Sequence, residues 1–164
     1  MLRRAVVPVA LCMLLSGVVV WGQQEFIPSV PPLAVVPNVL VFVEPTGNPG
    51  VQTQNIRVAN VYRERITFQP WTLKGWVSTG LPSSVTLGAL ASRRGTVSVD
   101  WTRMEPLVEF DPALQAKVTA ILQAQGLNYT PSQRMRGAIG AVALDPGPGK
   151  PITWVLVVAV HSIA

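Results

Sequence analysis

The sequence predicts an all-β protein: an immunoglobulin-like antiparallel β-sandwich with one inserted α-helix. Three observations predict it. Short segments with side-chain period two recur between clusters of Gly, Pro and Asn. One late stretch breaks that rhythm with helical spacing and helix-capping residues. The 164 residues suffice for one such domain behind an export leader.

The leader comes first in the chain. MLRRAVVPVALCMLLSGVVVWGQQ opens with Arg3 and Arg4 and then runs apolar to Trp21. A basic start, a short apolar run and small residues near its end are the anatomy of a secretory signal. Residues 1–22 are therefore expected to be a signal peptide, with a cut between Gly22 and Gln23. The competing reading is an uncleaved anchor, since the 18 positions from Ala5 to Gly22 lie at the lower limit for spanning a bilayer. Pro8 favours the signal. No stable membrane span is expected after cleavage. The only cysteine, Cys12, falls in this segment. Bulky Leu11 before it argues against lipid attachment. An exported domain without disulfides must rest on its own core, which fits a bacterial periplasmic or secreted protein. About 140 residues remain for that core.

The net charge is +5, and two of those charges, Arg3 and Arg4, leave with the signal. Charged residues make up 13% of the chain, too few for the dense basic field of a nucleic-acid binder. No nucleic-acid partner is expected.

Residues 23–37 carry Pro28, Pro31, Pro32 and Pro37. Proline fixes its backbone angle and lacks a donor, so this segment is expected to be an extended lead-in that tethers the domain or lies along its edge. The sandwich is expected over 38–164. NVLVFVEP reads as a strand closed by Pro45, and TGNPG as a turn. QTQNIRVANV sets Ile56 and Val58 against Asn55, Arg57 and Ala59. RITFQPW repeats the device with Ile66 and Phe68, and Pro70 marks its end or bend. GWVSTGLPSSVTLGAL reads as a loop with a short strand at its middle. GTVSVDW places Val97, Val99 and Trp101 on one face. A helix is expected near 112–125: Asp111 caps it, Pro112 takes the first position, and Gly126 stops it. Leu114, Val118, Ile121 and Leu122 form its apolar stripe, which should lie on the sandwich and cover an edge or an open end. RMRGAIGAVALDP and PITWVLVVAVHS read as the last two strands. Both are apolar on both faces, and strands of that kind are usually covered on both.

The order of these segments resembles a known family. LVFVEPTGNPGVQTQNIRVAN looks like the opening of bacterial immunoglobulin-like domains of the BACON type, through Gln52, Thr53, Ile56, Val58 and Asn60. Trp76, Val77, Gly95, Val97 and Val99 resemble its Trp strand and the strand after it. Gly137 resembles the glycine that starts its final hairpin. The resemblance spans about Val39 to Val160 and is interrupted by the helix, a departure from the family pattern. It implies a binding or spacing module, sometimes for carbohydrate, which is a fold-level analogy.

The reactive side chains suggest no enzyme and no cofactor. His161, the single histidine, is the fourth residue from the end of the sequence, a poor place for a triad. One histidine and no mature cysteine cannot furnish a zinc site. Glu105, Glu109 and Asp111 cluster before the helix. A paired-carboxylate hydrolase would need two of them across a cleft, whereas capping by Asp111 uses the spacing directly. Asn128, Tyr129 and Thr130 form a glycosylation sequon of little weight in a bacterial protein.

Binding candidates remain. Trp76 and Trp101 sit in strand patterns and read as core. Trp71, after Pro70, could stand at a loop rim, and the side of Trp154 is undecided. Arg57, Arg63 and Arg65 lie on or beside the second and third strands, with Glu64 as a local counter-charge, and Arg134 and Arg136 share a face of the sixth. If the third and sixth strands are neighbours, Arg65, Arg134 and Arg136 make one basic patch. That patch is either a solvated face that discourages edge aggregation or a dock for an acidic partner or glycan. The leading expectation is an exported, non-enzymatic module of the bacterial envelope or exterior that binds protein or glycan through Trp71, Arg65, Arg134 and Arg136. The alternative is a chaperone-like or assembly domain that pairs a client strand with an exposed sheet edge, the final strand Ile152–Val160 being the candidate edge.

Overall fold

The computed structural model describes residues 30–127 and 134–161. The signal segment with Cys12, the first half of the lead-in and the sequon Asn128–Thr130 lie outside the described residues. The chain divides into two units, Met1–Pro31 and Pro32–Ala164. The second contains every element named below.

Among the described residues ten strands and one α-helix follow in order: β1 (Leu33–Val36), β2 (Val39–Val43), β3 (Val51–Asn60), β4 (Ile66–Thr72), β5 (Val77–Thr79), β6 (Val85–Leu87), β7 (Ser92–Asp100), β8 (Val108–Glu109), α1 (Pro112–Ala124), β9 (Arg136–Asp145) and β10 (Thr153–Val160). They form two sheets. The main sheet runs β2-β10-β9-β4-β6, with β8 paired to the start of β9; the second runs β1-β3-β7-β5. All pairings are antiparallel except β2 with β10. The expected immunoglobulin-like sandwich with one helix is the observed fold.

The period-two segments supply the core. Leu40 and Phe42, Ile56 and Val58, Ile66 and Phe68, Val97 and Val99 all point inward and are buried. The more numerous observed strands are β1, β5, β6 and β8. Each has two to four residues, too few to display a period. GWVSTGLPSSVTLGAL in fact holds two strands. β5 pairs with β7 in the second sheet and β6 with β4 in the main one.

Two expectations about the ends of the domain need correction. The described part of the 23–37 segment is extended and lies along a sheet edge, but it is not outside the sandwich. Its residues Leu33–Val36 form β1, which pairs with β3 and buries Leu33 and Val35. The domain therefore begins ahead of residue 38. The final strand is not an edge. β10 has β9 on one side and β2 on the other, so its backbone is engaged on both flanks and cannot receive a client strand. Apolar faces reported burial there, which a central strand shares with a covered edge.

The helix is built as its sequence dictates. Asp111 Oδ1 accepts from the N–H groups of Ala113 and Leu114 at 2.9 and 3.0 Å, with Pro112 at the first position. At the other end Gly126 takes φ +81°. Its N–H reaches the Gln123 carbonyl, and the Leu127 N–H reaches that of Leu122, a pair of reverse bonds that closes the last turn. Val118 and Leu122 are buried against Val41, Val158 and Val160, with Phe110 and Met135. Alternation puts Val41, Val158 and Val160 on the outer face of the main sheet, opposite to Leu40, Phe42 and Val157, which enter the core. The helix thus covers the β2–β10 side of that face and leaves the β9–β4 side open.

Candidate functional site: a tryptophan pair beside a polar recess

The open part of the outer face is organised by three paired strands. Ala143 of β9 lies opposite Trp154 of β10 and opposite Trp71 of β4. A small residue between two large ones lets the indoles lean together. Their ring centres are 5.5 Å apart and their planes cross at 84°, the edge-to-face arrangement that aromatic quadrupoles favour. Trp71 is 39% and Trp154 43% exposed, whereas Trp76 and Trp101 are 3% and 7% exposed. The two inner indoles also have their N–H groups satisfied, Trp76 by Glu105 at 2.8 Å and Trp101 by Gln52 at 2.7 Å. Two tryptophans serve the core and two form a surface feature.

One border of the pair is polar. Gln69 pairs with Asp145 at the next position of the register on the same face. Thr67, two residues further on the same face of β4, bonds hydroxyl to hydroxyl with Thr86 at 2.8 Å. Thr67, Gln69, Asp145, Pro146, Gly147 and Pro148 line a recess of about 290 Å³. The Asp145 carboxylate accepts the Gly147 N–H at 2.8 Å, which fixes its direction, and Gly147 holds φ +98° in this turn. The other border is apolar, with exposed Leu73 and Ile139. A flat aromatic surface therefore adjoins oriented hydrogen-bonding groups.

The expected basic patch does not form. Arg136 pairs with Glu109 at the end of β9 where β8 attaches. Arg134 bonds Glu109 at 3.0 Å. Arg65 precedes Ile66, at the opposite end of the sheet, where β4 pairs with β6. The neighbouring-strand premise holds, because β4 and β9 are paired, but their antiparallel register separates these arginines along the strand axis. Trp71, by contrast, lies at the surface beside Trp154.

The carboxylates have separate tasks. Glu105 bonds both the Trp76 indole and Lys74, the latter at 3.0 Å. The indole N–H, and then the ammonium, hold its carboxyl below the usual carboxylate range. Glu109 pairs with Arg134 and Asp111 caps α1. The His161 ring bonds the Glu44 carboxylate, and the His161 backbone N–H donates to the Arg136 carbonyl at 2.8 Å.

Sequence reasoning passed over Thr67, Gln69 and Asp145. A usable signal existed. In RITFQPW, Ile66 and Phe68 point inward, so Thr67, Gln69 and Trp71 share the outer face by alternation alone. What no pattern in one strand could supply was the partner register that brings Trp154 and Asp145 beside them.

Comparison with known proteins shows no family for this chain. No family model matches the chain, and no curated protein matches it. Solved structures are similar to this chain in part. A PapD-like domain of human CEP192 has a TM-score of 0.49 at 10% identity, over 87% of this chain and 94% of that one. WR4, a C. elegans member of the MSP family, has 0.41 at 8%, over 81% and 100%. The Pseudomonas aeruginosa chaperone CupB2 has 0.44 at 9%, over 77% of this chain and 54% of that one; this chain thus spans about half of the chaperone's length. The BACON type has no support from these comparisons. Among the described residues no helix is long and apolar enough to cross a membrane.

Proposed function

We propose that the protein is a non-enzymatic, exported binding module that takes a glycan on the Trp71 face of its main sheet. The single observation that carries this reading is the half-exposed tryptophan pair beside the Thr67–Gln69–Asp145 recess. A sugar ring has an apolar C–H face and a rim of hydroxyls. An indole offers the first a flat surface that excludes water. A carboxylate, an amide and a hydroxyl offer the second acceptors and donors at its edge. Because the two indoles are perpendicular, one presents its face and the other props it. Export follows from the signal anatomy of residues 1–22. The separate engagements of Glu105, Glu109 and Asp111 favour binding without turnover, since hydrolysis needs two carboxylates across one cleft.

Glycans of the bacterial envelope, arrayed or titrated by calorimetry, test this reading. Trp71→Ala is expected to weaken binding by at least about tenfold, equivalent to ~1.4 kcal/mol. Asp145→Ala should weaken it less, since it removes edge contacts and leaves the ring. Binding that is indifferent to Trp71→Ala contradicts the site. Turnover of a glycan that depends on Glu105 or Glu109 contradicts the non-enzymatic reading.

A further inference from the structure

A second feature is independent of the tryptophan face: a gap in the strand pairing where the chain changes sheets. β1 belongs to the second sheet and β2 to the main one. β1 pairs only with residues 57–60 of β3, so, among the described residues, the first half of β3 has β7 on one side and no strand on the other. Among the described residues β2 likewise has β10 on one side alone.

The hydrogen-bond phase shows which backbone groups face this gap. Asn60 donates to the Ala91 carbonyl and Trp101 donates to that of Gly50, whereas Val61 donates to Pro32 on the β1 side. Even-numbered residues of β3 therefore address β7, and odd-numbered ones address β1 or its missing continuation. Val51, Thr53 and Asn55 direct their N–H and C=O groups into the gap. On β2, Glu44 donates to Val160 and the Asn38 carbonyl accepts from Leu156. Val39, Val41 and Val43 thus direct theirs away from β10, into the same gap. One of these is engaged by a side chain: Gln54 Nε2 donates to the Val41 carbonyl at 2.8 Å. An amide group there takes the place that a strand's own N–H would occupy.

The gap is concave. Val41–Val43, Gln52–Gln54, Gln125 and Leu127 line a recess of about 340 Å³. Edges of natural sheets are usually blunted by charge, proline or a bulge. β2 is Val-Leu-Val-Phe-Val with no charged residue and no proline inside it. A row of outward amides and carbonyls along an apolar strand, at the floor of a recess, is complementary to one thing above all, the backbone of another extended chain.

The geometry points to β2 as an acceptor edge for an extended peptide segment of a partner protein, inserted as an added strand into the recess beside Gln52–Gln54. The recess selects a lone strand over a second copy of this chain. The edge of a second copy carries its own α1 terminus, with Gln125 and Leu127, on the same side, and that terminus would have to enter the recess as well. The lining also sets a preference. Alternate residues of the added strand would meet exposed Leu127 on the helix side and the amides of Gln52 and Gln54 on the other. A segment alternating apolar and small polar residues fits both.

Hydrogen exchange followed by NMR on the whole chain tests this, with a peptide of alternating valine and threonine flanked by lysines as the probe. The amides of Val41 and Val43 should exchange fast in the free protein and slow by at least about tenfold with peptide. Val43→Pro removes one outward donor without touching a bond to β10 and should abolish that protection. Leu127→Lys, an exposed change that leaves β2 intact, should weaken it as well. Trp71→Ala should leave it unaltered, which separates this site from the glycan surface. Unchanged exchange at Val41 and Val43 under saturating peptide overturns the inference. So does protection that appears without peptide as the protein concentration rises, since that assigns the edge to a second copy.

Discussion

Replacing Gly137 by alanine is expected to destabilise the domain by about 3 kcal/mol or more, the upper range for forcing atoms into a packed core. Gly137 opens β9, paired with Val160. A Cβ placed there would stand 1.9 Å from the Ala159 carbonyl oxygen and 2.6 Å from Phe110 Cζ. The first contact is with backbone, so no side-chain rotation relieves it. β9 and β10 must separate at this end, and Phe110 must also shift within the cluster that seats α1 against Val158 and Val160. The melting midpoint should fall by ~10 °C, following the scaling of midpoint with stability for a domain of this size. Gly50→Ala is the control. Its Cβ would meet nothing within 4 Å, and the change should stay within about 0.5 kcal/mol. Equal effects at the two glycines in thermal or urea unfolding would contradict the close approach of β9 to β10.

Asn60→Ala should cost roughly 2–4 kcal/mol, because it strands several buried or part-buried backbone groups at once. Asn60 ends β3 and is 2% exposed. Its Nδ2 donates to the carbonyls of Glu64 at 2.7 Å and Gly88 at 2.8 Å, and its Oδ1 accepts from the Tyr62 N–H at 2.9 Å. One amide thus ties the turn after β3 to the loop after β6, and so joins the two sheets. Asp at this position keeps the acceptor and loses the donor, so it should be no better than alanine. A loss below about 0.5 kcal/mol in urea unfolding, the size of an ordinary surface change, would show that water replaces these bonds and that the turn is open.

Asn60 also illustrates how much of the fold was legible. The pattern of Gln52, Thr53, Ile56, Val58 and Asn60 marked a strand and its end, and the strand is there. Period two identified the inward residues of β3, β4 and β7, and the cap residues identified α1 almost to the residue. These features are local, so one stretch of sequence contains them. Apart from the strands too short to display a period, the misreadings concern relations between distant segments. Ile152–Val160 looked like an edge because apolar faces do not reveal which strands flank them. Arg65 and Arg136 looked adjacent because strand order was inferred without register, and an antiparallel offset carries their charges to opposite ends. The site divides in the same way. Trp71 could be placed outside from its own strand, whereas its contact with Trp154 depends on two pairings across Ala143.

The sorting of the tryptophans is the claim on which the binding account stands, and fluorescence quenching by iodide measures it most directly. Trp71→Phe with Trp154→Phe should remove the quenchable part of the emission that comes from the sandwich and leave the blue-shifted part. Trp76→Phe with Trp101→Phe should do the reverse, at a cost in stability. If iodide quenching of the sandwich emission is untouched by the first pair of changes, Trp71 and Trp154 are covered in solution and the proposed glycan face does not exist.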